Sequence, residues 1–137
     1  MYDPASDSHA DLPSMTTVRN YLGMGRLGDL ICAVGGAAWD GSRTVDSCEC
    51  LDTANPSAGW STLPSLRTAR YTHAVASTVD TMCAIGGKDN HNLYLASVEC
   101  LSQGATAWVE VASLNAARTS HGAAAIGNVL FLSLIHI

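Results

Sequence analysis

Apolar residues in this chain come in short runs, and the runs recur. Ile31-Cys32-Ala33-Val34 ends in Gly35-Gly36, and Met82-Cys83-Ala84-Ile85 ends in Gly86-Gly87, 51 residues later. A short continuous apolar run closed by turn residues is the pattern of a strand buried on both faces. This second strand is read as Asp29 to Val34 and as Thr81 to Ile85. Before it lies a stretch alternating small and apolar residues, Asn20 to Gly25 and Tyr71 to Ser77. A third run follows, Val45 to Leu51 and Ala96 to Leu101, and then a fourth, Trp60 to Leu63 and Trp108 to Val111. No stretch carries a helical period. The pattern predicts a four-stranded antiparallel sheet, used twice. Such a sheet has two apolar faces and cannot bury them alone, so the copies must stack.

Polar anchors fix the period. Glu49-Cys50-Leu51 recurs as Glu99-Cys100-Leu101 after 50 residues, and Trp60 recurs as Trp108 after 48. Arg70 with His73 recurs as Arg118 with His121, again after 48. Leu63-Pro64-Ser65-Leu66 corresponds to Val111-Ala112-Ser113-Leu114, and Leu12-Pro13-Ser14-Met15 precedes Arg19 with the same gap of four. The drift between copies is what loops of unequal length produce. A period of about fifty residues lies among the repeats that build propellers, in which sheets packed radially cover each other's faces.

In order, the repeat reads Arg, a His three residues on, an apolar strand ending in Gly-Gly, a Glu in the third strand, Trp, then Leu or Met four before the next Arg. This set resembles the kelch repeat across nearly the whole chain. Val98-Glu99-Cys100-Leu101 and Leu63-Pro64-Ser65-Leu66 are most similar to the kelch-like substrate adaptors of cullin-based ubiquitin ligases. The resemblance implies an all-β fold: a partial β-propeller of four-stranded antiparallel kelch blades, two full and two partial. Residues 1–18 would end a preceding blade, 19–66 and 67–114 would be full repeats, and 115–132 would start the next. Tyr2-Asp3-Pro4 resembles the close of a third strand, with His9 at the Trp position. Counting 16 from Arg118 gives Leu134, where the first two repeats have Gly35 and Gly86. Residues 133–137 are therefore expected to be off-pattern and non-native, as a frame error, splice variant or assembly join would leave. Two blades and two part-blades do not close a ring of about four to eight, so exposed faces and free strand edges are expected.

Apolar content of 47% fits a folded domain, and a net charge of -5 with no basic run argues against nucleic acid or an anionic membrane as partner. No signal peptide is read at Met1-Tyr2-Asp3-Pro4, and Val129 to Ile137 is too short to cross a bilayer. Of the five cysteines, Cys32 matches Cys83 and Cys50 matches Cys100. These are read as small apolar strand residues with reduced thiols in a cytoplasmic protein.

Candidate chemistry is sparse. The glycine doublets are followed by no helix, as a phosphate loop requires, and serve to turn the chain. The recurring Arg and Glu read as a charge pair pinning strand register. Cys48-x-Cys50 lacks a second ligand pair at zinc spacing. No Gly-x-Ser-x-Gly is present, so no catalytic residue, cofactor or metal is expected, and the chain is read as no enzyme. That leaves protein or peptide binding through loops. Trp39, Asp40 and Arg43 lie in the loop after one doublet, and Asp89, Asn90 and His91 in the loop after the other. By resemblance, the turns at the repeat Arg add Arg19, Asn20, Arg70, Tyr71, Thr72, Arg118, Thr119 and Ser120. The family role implied is a substrate receptor, with cullin-ligase contact through BTB and BACK domains outside this sequence. An actin-binding or scaffolding kelch protein is the first alternative, and a copper oxidase-like propeller enzyme the second.

Overall fold

The computed structural model describes residues 1–133, and it is all-β. Four antiparallel sheets hold its strands. β1 (Tyr2–Asp3) and β2 (Ser8–His9) form a two-stranded sheet. β3 (Gly23–Leu27), β4 (Leu30–Val34), β5 (Cys48–Asp52) and β6 (Trp60–Leu63) pair in chain order as the first four-stranded sheet. β7 (Ala74–Ser77), β8 (Thr81–Ile85), β9 (Val98–Ser102) and β10 (Val109–Val111) repeat it as the second. β11 (Ala123–Ile126) and β12 (Val129–Leu132) form the last pair.

The central strands are buried on both faces, as their continuous apolar runs predict. Cys32, Ala33 and Val34 of β4 are fully enclosed, and so are Met82 and Ala84 of β8. Successive sheets stack through their first strands: β3 packs on β7, and β11 packs on β7 from the other side. Two glycines permit the first contact. A Cβ at Gly23 would lie 2.3 Å from Val75 Cγ2, and one at Gly25 would lie 2.6 Å from Met82 Sδ. The layer between the full sheets holds Cys32, Val34, Cys50, Met82, Leu101 and Trp108. The next layer sets Cys83, Ile85 and Val98 against Leu130 and Leu132.

Each full sheet is locked by the same buried polar cage. Arg19 donates from one guanidinium nitrogen to Gly35 O (3.0 Å) and Ser47 O (2.8 Å), and from the other to Ser47 Oγ (2.8 Å) and Glu49 Oε1 (2.5 Å). Arg70 repeats this with Gly86 O (2.9 Å), Ser97 O (3.0 Å), Ser97 Oγ (3.1 Å) and Glu99 Oε1 (2.6 Å). The carboxylates also accept from the backbone ahead of the Arg: Glu49 from Thr16 and Thr17 N–H, Glu99 from Arg67 and Thr68 N–H. One residue type at each end thus ties the entry of the first strand to the third strand. The tryptophans bind back one loop: Trp60 Nε1–H donates to Pro13 O and Trp108 Nε1–H to Pro64 O, both at 2.7 Å.

The structure departs from the sequence reading in several places. Cys32 is disulfide-bonded to Cys50, and Cys83 to Cys100, each with Cα atoms 4.1 Å apart. The matched cysteines had been compared between repeats. Within each repeat they face each other directly across the second and third strands, at the close spacing of a non-hydrogen-bonded antiparallel pair. Only Cys48 remains a free thiol. The first strands start later than the alternation suggests, because Asn20 and Tyr71 bridge to Ala37 and Lys88 instead. A short 3-10 turn, Pro56–Ala58, interrupts the loop before β6. Ser133 still donates its N–H to Gly122 O at 2.9 Å, so the ladder runs one residue into the stretch expected to be off-pattern. Leu134, where the third glycine was due, lies outside the described residues.

Candidate surface cleft

Two loops of unlike sequence rise from equivalent places in the two full sheets. In the first, residues 37–44, Ala37 bridges to both Asn20 and Thr44, which pins the base. Gly41 turns the tip with φ +70°, and Asp40 Oδ1 accepts the Ser42 N–H at 3.0 Å. In the second, residues 88–94, Lys88 bridges to Tyr71 and Tyr94. Asp89 Oδ1 accepts from His91 N–H (2.8 Å) and Leu93 N–H (2.9 Å), and Tyr71 Oη donates to Asn92 Oδ1 (2.8 Å). Asp40 is solvent-exposed and Asp89 half-buried, and both have pKa values below the ordinary one. Hydrogen bonds from Ser42 cause the shift in Asp40, and the Leu93 amide is the main cause in Asp89.

Between these loops lies an open cleft of about 690 Å³. Seven of the expected residues line it: Asn20, Trp39, Asp40, Arg43, Tyr71, Asp89 and Asn90. Trp39 is 78% exposed, so its indole does not pack down on its own sheet. Arg19 and Arg70 do not reach the cleft surface: they are buried in the cages described above and support its base. Arg118 is half-buried, and His91 is exposed beside the cleft lining. Thr72 and Thr119 are hydrogen-bonded to each other through their hydroxyls.

Tyr21 also lines the cleft, and sequence reading missed it. It lies two residues after Arg19, with φ +51°, and Thr72 and Ser120 hold the same place with φ +50° and +51°. These are left-handed conformations uncommon in residues other than glycine, asparagine or aspartate. Backbone bonds between sheets hold them there: Thr72 N–H to Tyr21 O (3.0 Å) and Ser120 N–H to Thr72 O (2.8 Å). The belt turns Tyr21 outward, 64% exposed, with its ring centroid 6.5 Å from that of Tyr71. The two-residue offset from each Arg was visible in the chain, but nothing in the residue types marks a strained backbone.

The cleft thus offers three aromatic rings, two carboxylates, one guanidinium and side-chain amides. This is equipment for recognition. Among the described residues, the group of side chains that converges as metal ligands do is Cys32, Cys48 and Cys50, inside the first sheet and away from the cleft. Two of the three are joined in a disulfide. Burial raises the Cys48 thiol to about 11, which keeps it protonated. No protein-family model matches the chain.

Proposed function

We propose that this chain is a stretch of kelch-repeat β-propeller whose loop face binds a protein or peptide. The fold reading rests on two like four-stranded sheets, stacked through their first strands and each locked by the same Arg–Glu cage. The observation that carries the function is the cleft in which exposed Trp39 meets Tyr21 and Tyr71 from neighbouring repeats. Exposed Trp, Tyr and Arg are the residue types that dominate interface energetics, and loops on a rigid sheet scaffold suit recognition.

The biological role proposed is substrate receptor of a cullin-type ubiquitin ligase adaptor, acting in the cytoplasm. A second reading, a kelch protein of an oxidising compartment, draws support from the paired cysteines, which persist where thiols are not kept reduced. A coding region with an upstream BTB domain favours the first, and one with a secretory leader favours the second. The binding reading itself is tested by panning a displayed random-peptide library against the chain. Selected peptides are expected to lose about tenfold or more in affinity on Trp39→Ala, or at least about 1.4 kcal/mol, while the urea midpoint stays unchanged. Peptides indifferent to Trp39→Ala, Tyr71→Ala and Arg43→Ala would refute it.

A further inference from the structure

The first full sheet carries one sulfur more than the second. In the second, Cys83 and Cys100 face each other across β8 and β9, and the residue two before Cys100 is Val98. In the first, Cys32 and Cys50 face each other across β4 and β5, and the residue two before Cys50 is Cys48. The same sheet therefore accepts valine where Cys48 stands, and packing alone does not call for the third sulfur.

Alternation along β5 puts Cys48 and Cys50 on one face, and strand register brings Cys32 to them from β4. Cys48 Sγ lies 3.8 Å from Cys50 Sγ, and all three sulfurs lie within 4.8 Å of one another. Three thiolates on one ion, with bonds of about 2.3 Å, stand about 4 Å apart. The spacing fits once the Cys32–Cys50 bond is opened. All three cysteines are fully buried, in the layer between the full sheets with Val34, Met82 and Leu101. These neighbours are apolar. They disfavour ions that need oxygen, nitrogen or water as a further ligand, four-coordinate zinc among them. Thiolates by themselves select copper(I).

We propose that Cys32, Cys48 and Cys50 form a site for copper(I) that the Cys32–Cys50 disulfide closes and thiol reduction opens. Opening takes two electrons: two molecules of a monothiol such as glutathione are joined as their disulfide, and Cys32 and Cys50 each gain a proton. Copper(I) then replaces the three thiol protons, which pass to solvent, and three Cu–S bonds form with the metal's oxidation state unchanged. A bound ion deprotonates a coordinating thiol outright, so burial of the Cys48 thiol does not bar it. Charges beside it help, since Arg19 favours the Cys48 thiolate more than Glu49 disfavours it. Where thiols are kept reduced the site is open, and in an oxidising compartment it is locked.

The test uses the full chain, reduced with a phosphine without oxygen and shown by circular dichroism to stay folded. Copper(I) is added as the reduced chain refolds from urea, because the native layer encloses the site. Bicinchoninate then competes for the metal, and mass spectrometry counts what the chain retains. One copper per reduced chain is expected, with three sulfurs around it by X-ray absorption, and none on the oxidised chain. Cys48→Val, which copies the second sheet, is expected to weaken binding about tenfold or more with an unchanged urea midpoint. Cys83→Ala with Cys100→Ala is expected to leave binding intact. The sulfur count is read on the parent chain and needs no variant. Unfolding on reduction, no copper held against the chelator, or two sulfurs around it would each overturn the proposal. So would equal binding by Cys48→Val, or loss of binding in the second-sheet variant.

Discussion

Replacing Arg70 by methionine asks how far one side chain holds a repeat together. Arg70 is fully buried, and its guanidinium makes three bonds to backbone carbonyls, a long one to Thr68 O among them, one to Ser97 Oγ and one to Glu99 Oε1. Methionine keeps much of the volume and none of the donors. Gly86 O loses its donor, Ser97 O keeps only the Gly86 N–H, and Glu99, 1% exposed, keeps only the two amides of Arg67 and Thr68. Breaking a buried ion pair from one side costs about 3–5 kcal/mol, because the remaining charge is uncompensated. With m at about 2 kcal/mol per M, the urea midpoint should fall by about 2 M. Fluorescence reports it through Trp108, which sits in the core between the full sheets. The double variant Arg70→Met with Glu99→Leu should recover most of the loss, since an apolar replacement of both partners is often neutral. A single variant within about 1 kcal/mol of the parent, or a double variant worse than the single, would refute the cage as the anchor of the sheet.

Stability should fall in acid. Burial first, then the Arg70 charge and His121, depress the His73 imidazole to about 3, so the folded protein holds it neutral while the unfolded chain takes up a proton below about pH 6.5. This contribution is complete above about pH 6.5 and drains as pH falls towards 3, by about 1.4 kcal/mol per unit. Glu49 adds to the loss lower down. Burial alone would raise it, but hydrogen bonds from Thr16, Arg19 and Thr17 hold it at about 2, so its share is lost as pH falls from about 4.5. An equal urea midpoint at about pH 7.5 and about pH 5 would contradict the first part. Gly23→Ala should destabilise by about 1–3 kcal/mol, because the added Cβ meets Val75 at 2.3 Å; a change below about 0.5 kcal/mol in thermal melts would show that the sheets do not pack this closely. Thiol titration of the denatured, unreduced protein should find a single reactive cysteine, Cys48. A count of five would show the thiols unpaired, as the sequence reading had them.

Much of the loop site was legible because loops betray themselves by breaking a repeat. Trp39 stood out as a Trp in a polar loop, and it lines the cleft with Asp40 and Asn90. Tyr21 was not legible, since its exposure depends on the left-handed backbone held by a bond from the next repeat. Arg19 and Arg70 were legible as one half of a charge pair with the recurring glutamates, and the pairs form as Arg19–Glu49 and Arg70–Glu99. Their place on the loop face did not follow, because acceptors 16 to 30 residues away close over them and take them out of the cleft surface.

The period, the four strands per repeat and their order follow from sequence alone. They rest on local patterning: apolar runs, turn residues and equally spaced anchors mean the same wherever the chain goes. Tertiary structure decided what lies opposite what. Cross-strand register made partners of Cys32 and Cys50 rather than equivalents of Cys83 and Cys100. Stacking of β3 on β7 turned Gly23 and Gly25 from small residues of an alternating strand into contact points. Each of these is a distance between residues far apart in the chain, and no local pattern encodes it.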